Sequence, residues 1–352
     1  MASPNSQTHE TSLHLIDRHW VDFVLAHVNP LWSVVATKAR LLEVRRESPD
    51  TSTFVLQPNS RWQGFRPGQF VPLRVRIDGV VHERCYTLTG PPSATTLELT
   101  IRRRPGGIVS SFLHDRLRVG AVVELGPAQG DFVLPEVLPG KLLLIAGGIG
   151  ITPLYGLVHD VLARESNTDV ALLYYAHGDR DFVFRTALDA LAVVSPALRI
   201  DYVTGGRSHA PCDATTLARI VPDWSERLAY ACGPEPLLEA VGATFAAADR
   251  SAWLRVERFG RKAPTVAGTA HTVTYARSGV VAVAGGSTLL EAAECAGLRP
   301  AYGCRMGICR TCRCRKVEGP VRDLSTGAVD DAPGRDIRLC VTEPVGPVTL
   351  DL

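Results

Sequence analysis

Short apolar stretches separated by turn residues follow one another between residues 31 and 138. Examples are LWSVVATKARLLEV, STFVLQP, GQFVPLRVRI, RCYTLTG and LELTIRRR, with proline and glycine between them. Runs of this kind, bounded by Gly and Pro, are typical of β-strands joined by tight turns. The pattern predicts a small antiparallel β-barrel over residues 31–138.

The hydrophobic pattern changes at residue 139. The apolar run KLLLIAGG ends in glycines, and TPLYGLVHDVLARE then repeats its apolar positions at helical spacing. The stretches DVALLYYAH, DFVFRTALDALAVV, RIDYVT and LAYACGPEPLLEAVGATF continue the alternation of strand and helix. This order predicts an α/β domain with a doubly wound parallel sheet over residues 139–260.

Residues 261–270 are rich in Gly, Ala and basic side chains and are predicted to be a linker. The stretch HTVTYARSGVVAVAGGSTLLEAAECAGL then predicts two strands and a short helix. We therefore expect a third domain over residues 271–352.

Residues 1–30 form an extension that is predicted to be helical. Its apolar positions share one helical face and the pattern stops at Asn29-Pro30. The apolar positions are Ile16, Trp20, Phe23, Val24 and Val28. A helix packed on the barrel is the simpler interpretation, and a docking element for a membrane partner is the alternative.

Composition narrows the class of protein. The chain has 352 residues and a formal net charge of +2, which gives no indication of polyanion binding. It lacks both a run of roughly 20 apolar residues and an export signal, so we expect a cytoplasmic protein. In that compartment nine cysteines indicate metal ligation or buried thiols rather than disulfides.

Four of those cysteines have the spacing of an iron–sulfur site. Cys304, Cys309 and Cys312 follow the C-x4-C-x2-C pattern of plant-type [2Fe-2S] proteins, and 27 residues separate Cys312 from Cys340. Zinc is the alternative, although zinc ligands usually come as two close pairs. Cys314 could compete as a ligand but is expected to be a small core residue. The remaining cysteines Cys85, Cys212 and Cys295 are expected to be buried thiols.

Two further motifs suit phosphate-bearing cofactors. Arg84 and Tyr86 alternate along one strand, where a cation and an aromatic ring suit a phosphate and a flat ring. The turn RRRPGGIVSS then opens a helix, whose N-terminus favours a pyrophosphate. Each signal is weak alone, and their order along one chain strengthens them.

Glycines also follow two apolar strands of the α/β region. In LLLIAGGIGITP, glycines that allow a diphosphate to approach the backbone precede the start of a helix, and YACGPEP ends another strand at the edge where such sheets bind ligands. The candidate residues are Gly147, Gly148, Gly150, Thr152, Pro153, Cys232, Gly233 and Pro234.

Taken together, these motifs resemble the ferredoxin–NADP reductase superfamily. RCYT, GGIVS, GGIGITP, YACGPEP and VERF occur in its order, and residues 271–352 resemble plant-type ferredoxins of β-grasp fold. The combination is similar to single-chain reductases that serve oxygenases and fatty-acyl desaturases.

The resemblance implies a role for each matching residue. Arg84 would neutralise the FAD pyrophosphate, Tyr86 would stack on the isoalloxazine and Thr87 would lie near its N5. Cys232 would lie near the nicotinamide, and Glu257 and Phe259 at the flavin edge; Thr87, Cys232 and Glu257 are thus the candidate catalytic residues. Phosphates would be held by Gly107, Val109 and Ser110, and the nucleotide by Gly148, Thr152 and Pro153.

The implied activity is electron transfer from NAD(P)H through FAD and a [2Fe-2S] cluster to a separate oxygenase or desaturase, possibly membrane-bound. An aromatic-ring dioxygenase as acceptor and a redox-sensing role without turnover are the alternatives. The choice between NADPH and NADH stays open, since Arg180 could hold a 2′-phosphate or be solvated. FAD is favoured over FMN because the GGIVSSFLHD turn resembles the FAD-type pattern of the family.

Overall fold

The computed structural model describes residues 18–164, 167–205, 212–259, 269–303, 307 and 310–352. Ile16, most of the predicted linker, and the predicted cluster ligands Cys304 and Cys309 lie outside these residues.

The first sheet is a closed antiparallel barrel. Its order is β4-β3-β6-β1-β2-β5, and a bridge between Leu88 and Leu99 joins the two ends. Apolar residues at every second position, such as Leu97, Leu99 and Ile101, fill the interior because successive side chains point to opposite faces. The elements are α1 (Arg18–Val28), β1 (Thr37–Ser48), β2 (Thr51–Pro58), β3 (Phe70–Ile77), β4 (Val80–Thr87), β5 (Leu97–Arg102), α2 (Ile108–Asp115) and β6 (Val122–Leu125).

The second sheet is parallel and is covered by helices on both faces. Its elements are β7 (Lys141–Gly147), α3 (Ile151–Ala163), β8 (Asp169–Tyr175), α4 (Arg185–Val194), β9 (Leu198–Val203), α5 (Ala214–Ile220), β10 (Leu228–Cys232), α6 (Glu235–Ala247) and β11 (Leu254–Glu257). The central strand β7 is apolar throughout because Leu142 and Leu144 enter one core while Leu143 and Ile145 enter the other.

The strand order β11-β10-β7-β8-β9 reverses direction at β7. The chain runs outward from β7 to β9 and then returns to place β10 on the other side of β7. Ligands of such sheets bind at this reversal, beyond the carboxyl ends of the strands. The glycines after β7 and Cys232 at the end of β10 therefore meet at the expected binding edge.

The third sheet has the order β13-β12-β19-β14-β17, with β12 and β19 parallel and its other neighbours antiparallel. The helix α7 packs its apolar residues against Val273 and Tyr275, which is the β-grasp arrangement. The elements of this domain are β12 (His271–Tyr275), β13 (Val280–Ala284), α7 (Leu289–Cys295), β14 (Arg313–Glu318), β15 (Val321–Asp323), β16 (Val329–Asp330), β17 (Arg335–Arg338), β18 (Thr342–Pro344) and β19 (Val348–Leu350). The strands β16-β15-β18 form a separate small sheet. The predicted fold class is confirmed.

The predicted apolar face of α1 is not packed on the barrel. Trp20, Phe23 and Val28 are 62%, 64% and 70% exposed, and Val24 is exposed as well. The polar face turns inward instead, because the Asp22 carboxylate accepts hydrogen bonds from Ser33 Oγ and from the Val34 amide (2.6 Å). The expectation of a buried apolar face is wrong for the described part of this helix.

Among the helices of the described ranges, none combines the length and the apolar character that crossing a bilayer requires.

Candidate functional site

The turns after β7 and β10 are in direct backbone contact. A Cβ atom at Gly150 would overlap the carbonyl oxygen of Cys232, so a side chain there would push the two strand ends apart. Thr152 closes the start of α3 by donating its hydroxyl to the Ile149 carbonyl (3.0 Å). All of the predicted nucleotide residues, Gly147 to Pro153 and Cys232 to Pro234, therefore lie at one edge of the sheet.

A cavity of about 570 Å³ lies where this edge meets the barrel, and we call it the flavin cavity. Both bodies contribute walls: Arg84, Tyr86 and Thr87 come from β4, and Ile149 and Thr152 come from the turn after β7. The other predicted residues that line it are Gly107, Val109, Ser110, Glu257 and Phe259. The structure thus brings together the residues that the motifs predicted separately.

Two lining arginines were not singled out from the sequence. Arg102 and Arg104, at the end of β5 and in the turn that follows, also face the flavin cavity. Arg102 donates to Asp50 (2.6 Å), whereas no carboxylate of the described residues pairs with Arg84 or Arg104. The run RRRPGG carried this signal, since three successive arginines precede a helix start.

These charges fit a pyrophosphate. Ser110 accepts a hydrogen bond from the Arg104 amide (3.1 Å), which holds the turn against the first residues of α2. The helix N-terminus and the unpaired guanidinium groups thus face one cavity, and a dianionic ligand would complete their charge. Tyr86 is half-buried beside them, and burial raises its pKa above the ordinary tyrosine value.

Glu257 lines the flavin cavity and lies next to the buried Cys232. They face each other across the parallel pair β10 and β11. The Oε2 atom of Glu257 is buried and has no hydrogen-bond partner among the described residues, and burial raises the pKa of this carboxyl to about 8. Burial, and then the charge of Glu257, raise the pKa of the fully buried Cys232 thiol. Near pH 7 the carboxyl is therefore mostly protonated and can donate a hydrogen bond into the cavity.

The described part of the cysteine loop, by which we mean residues 304–312, lies against the segment that carries Cys340. The Leu339 amide donates to the Cys312 carbonyl (3.1 Å), and both Cys312 and Cys340 are buried. Gly307 adopts a positive φ of 77°, and a Cβ there would lie 2.8 Å from Val341. Arg338 connects the cysteine loop to the segment around Asp323, because it donates to the Gly307 carbonyl (2.7 Å) and to Asp323 (2.5 Å).

A metal-binding group of three or more ligands is not found among the described residues, which exclude Cys304 and Cys309. The two described thiols nevertheless fit the predicted cluster, because the backbone bond to Leu339 holds Cys312 beside the chain of Cys340. Thiolates in this C-x4-C-x2-C and distant-Cys arrangement are the ligands of plant-type [2Fe-2S] clusters.

The other cysteines differ in exposure. Cys314 and Cys212 are buried, as expected, and burial raises the pKa of each thiol to about 11. Cys85, expected to be buried, is only half-buried because it lines the flavin cavity. The expectation that Cys295 is buried is wrong: it is exposed at the end of α7, whose buried face is occupied by Leu289, Leu290, Ala292 and Ala293.

Three family models match the chain in succession. The oxidoreductase FAD-binding domain matches residues 38–134, the oxidoreductase NAD-binding domain matches residues 144–242, and the 2Fe-2S iron-sulfur cluster binding domain matches residues 273–345.

Relatives align along most of the chain. An NADPH oxidoreductase of Mycobacterium tuberculosis is 37% identical over 337 residues, covering 94% of this chain and 88% of that protein. The ferredoxin reductase component of 3-ketosteroid-9-alpha-monooxygenase from the same species is 32% identical, covering 73% of this chain and 76% of its own. The glycine betaine monooxygenase reductase subunit of Chromohalobacter salexigens is 29% identical, covering 88% and 94%.

The solved structure of phthalate dioxygenase reductase has the same fold. It superposes with a TM-score of 0.62 at 22% identity, and the match covers 90% of this chain and 98% of that one. The fold is therefore shared over nearly the whole length of both chains.

Proposed function

We propose that this chain, which belongs to the single-chain FAD, NAD(P)H and [2Fe-2S] reductases of the ferredoxin–NADP reductase superfamily, supplies electrons to a separate oxygenase. The chain is an NAD(P)H-dependent oxidoreductase, and FAD, the cluster and the nucleotide are confirmed as predicted. The observation that carries the proposal is the flavin cavity, whose walls come from both the barrel and the nucleotide-binding edge.

Within the flavin cavity, Arg84 and Arg104 would neutralise the pyrophosphate of FAD, and Tyr86 would cover its ring. The flavin, when bound, supplies the conversion between a two-electron hydride donor and a one-electron acceptor. The chain contributes the geometry: the touching turns after β7 and β10 bring the nucleotide site to the same cavity.

We assign the catalytic positions to Thr87, Cys232 and Glu257. Thr87 is buried at the cavity wall, and the fully buried Cys232 lies beside the cavity residue Glu257 on the neighbouring strand. Glu257 keeps a proton on its carboxyl near pH 7, so an uncharged donor faces the cavity and no buried anion opposes an incoming hydride.

For the nucleotide we propose NADPH. Arg180 follows β8, the neighbour of β7, at the carboxyl edge where sheets of this class contact the ribose. Its side chain is exposed, and no carboxylate of the described residues pairs with it. An unpaired guanidinium at this position suits a 2′-phosphate. The relative from M. tuberculosis named an NADPH oxidoreductase supports the same choice.

The acceptor is proposed to be an oxygenase in the cytoplasm. Two relatives bear names of reductase components of monooxygenases, and their alignments cover the greater part of this chain. A plant-type cluster, with a reduction potential of about −400 mV, is reducing enough for such a partner.

A membrane-bound fatty-acyl desaturase is the second candidate acceptor, and one observation favours it. The exposed face of α1 carries two large aromatic side chains, and Trp32 beyond the helix is exposed as well. Basic groups border this surface: Lys38 donates to the Trp32 carbonyl (3.2 Å) and Arg40 to Asn29 (3.1 Å). Aromatic side chains with basic neighbours are typical of interfacial helices on anionic membranes.

Vesicle flotation separates these acceptors. If α1 binds lipid, the protein floats with vesicles containing phosphatidylserine, and the double variant Trp20→Ser/Phe23→Ser does not. The matched control is Val193→Ser/Val194→Ser, which removes two exposed apolar side chains from α4. Equal flotation of the two variants would remove the support for a membrane-bound acceptor.

Anaerobic stopped-flow mixing with NADPH tests the proposed relay. We expect flavin bleaching followed by loss of the cluster absorbance. In Cys340→Ser the flavin should still bleach while the cluster signal is absent, and the core variant Cys314→Ser should behave as the parent protein does. Flavin reduction without any cluster reduction in the parent protein would refute the relay.

A further inference from the structure

The chain around the cysteine loop is basic, although the protein as a whole is almost neutral. Residues 296–317 contain six basic residues and no acidic one, against a net charge of +2 for the whole chain. The six are Arg299, Arg305, Arg310, Arg313, Arg315 and Lys316. The positive charge is therefore local to the segment that supplies three of the four predicted cluster ligands.

The exposed members of this group remain at the surface because β14 alternates. Cys314 and Lys316 point into the core, where Lys316 Nζ donates to the Asp330 carbonyl (2.6 Å), whereas Arg313 and Arg315 are exposed. Arg299 and Arg310 are exposed as well. These four exposed arginines lie in the cysteine loop or within five residues of it along the chain, and we call them the basic loop face.

Carboxylates of the described residues neutralise part of this face. Arg313 pairs with Asp336 (2.9 Å from Nε), and Asp351 is held by Arg277 (2.6 Å). No carboxylate of the parts that the structure describes lies within salt-bridge distance of Arg299, Arg310 or Arg315, although the Arg315 charge helps to lower the pKa of Asp351. The charges on Arg299 and Arg310, and part of that on Arg315, are thus left for an external partner.

The backbone at Arg310 gives a second, independent observation. Its φ is 59°, in the left-handed region where glycine is the default and side chains other than Asn and Asp are uncommon. The arginine carbonyl accepts from the Arg313 amide (3.1 Å), which forms the turn into β14. Folding alone would favour glycine here, so an exposed arginine with no carboxylate partner in the described structure points to a role at the surface.

We propose that the basic loop face is the docking site for an acidic surface on the electron acceptor. The inference rests on the proposed function, because it concerns the partner that receives electrons from the cluster. Opposite charges steer association and orient the partner, which raises the association rate at low salt. Arg310 lies two residues from Cys312, so docking at this face would place the acceptor next to the cluster.

Two haem proteins of similar size serve as probes for the sign of this surface: acidic cytochrome b5 and basic cytochrome c. With NADPH in excess, we expect cytochrome b5 reduction to fall at least about threefold between roughly 0.01 M and 0.5 M KCl, because screening removes steering. Cytochrome c reduction should stay constant or rise.

The double variant Arg310→Gln/Arg315→Gln should lower the low-salt rate with cytochrome b5 at least about threefold and flatten its salt dependence. The single variant Arg310→Lys keeps the positive charge at this position and should reduce cytochrome b5 at the rate of the parent protein. Arg118→Gln, which removes an exposed arginine from the barrel, is the matched control and should leave the rate unchanged.

Cluster reduction by NADPH, measured in the same samples, keeps the two hypotheses apart. If the cluster of the parent protein is never reduced, the proposed function fails. If the cluster is reduced but the variant and Arg118→Gln give equal rates, or cytochrome b5 shows no salt dependence, the basic loop face is not the docking site.

Discussion

The turns after β7 and β10 touch at Gly150 and Cys232, and the cysteine loop touches its neighbour at Gly307, yet backbone makes the first contact and a side chain makes the second. Between the turns after β7 and β10 the two backbones are in contact, since Gly150 leaves no room for a side chain against Cys232. At the cysteine loop a side chain makes the contact, since Arg338 donates hydrogen bonds to the Gly307 carbonyl and to Asp323. Backbone contact fixes a position rigidly, whereas a charged side chain can be replaced at a smaller cost.

The largest expected effect concerns the carboxyl group of Glu257 in the flavin cavity. Burial raises the pKa of Glu257 to about 8 from an ordinary value of 4.5, so the folded protein holds this proton more tightly than the unfolded chain does. The contribution to stability is fully present below about pH 4.5 and is lost as the pH rises to about 8. Glu257→Gln should lack this dependence, a difference on the order of 5 kcal/mol in the free energy of unfolding.

Urea unfolding of both proteins from acid to mildly alkaline pH measures the difference. Parallel pH profiles for the parent protein and Glu257→Gln would show that the carboxyl is not held protonated in the folded state.

The second prediction concerns the backbone contact between Gly150 and Cys232. Gly150→Ala forces the turns after β7 and β10 apart and should destabilise the protein by about 3 kcal/mol while weakening NADPH binding. Gly242→Ala is the matched control: it lies inside α6 in open space, so the same added methyl should stabilise the helix by up to about 1 kcal/mol. Thermal unfolding and nucleotide titration report both effects, and equal behaviour of the two variants would contradict the contact.

A smaller effect is expected at the cysteine loop. Arg338→Gln removes the bonds to Gly307 and Asp323 and should cost about 2 kcal/mol, which loosens the loop against Val341. The cluster should then bleach faster under an iron chelator, followed by visible absorbance. Arg313→Gln, which breaks an exposed ion pair with Asp336, serves as control and should bleach at the parent rate. Matching rates for the two variants would mean that Arg338 does not anchor the loop.

The smallest effect tests the nucleotide assignment. Arg180→Gln should raise KM for NADPH about tenfold, equivalent to about 1.4 kcal/mol, and leave KM for NADH unchanged. Steady-state kinetics with both nucleotides measures the ratio. A uniform change with NADPH and NADH would show that Arg180 does not contact the 2′-phosphate.

The fold could be predicted because local patterns agreed with the tertiary structure. The run KLLLIAG is apolar on both faces, as a central parallel strand requires, and the structure places β7 between two cores. Cysteine spacing likewise indicated the cluster chemistry, since few functions need thiols at those intervals.

Other features depend on orientation, which periodicity does not determine. The pattern of α1 identified an amphipathic face but not that Asp22 would turn its polar side inward. Arg102 and Arg104 reach the flavin cavity because the turn after β5 folds toward it, and Cys295 is exposed because α7 ends there. The protonated state of Glu257 follows from having no partner among the described residues, which is a three-dimensional property. The individual roles of the site residues stay predictions.

The position of β19 has a consequence for biosynthesis. Residues 348–350 fill the centre of the third sheet, between β12 and β14, so this sheet cannot close until they have emerged from the ribosome. The barrel and the nucleotide sheet are complete after residues 125 and 257 and can fold during translation. The cysteines at 304–340 are all synthesised before β19, so the strand that completes this sheet is added after the predicted cluster ligands.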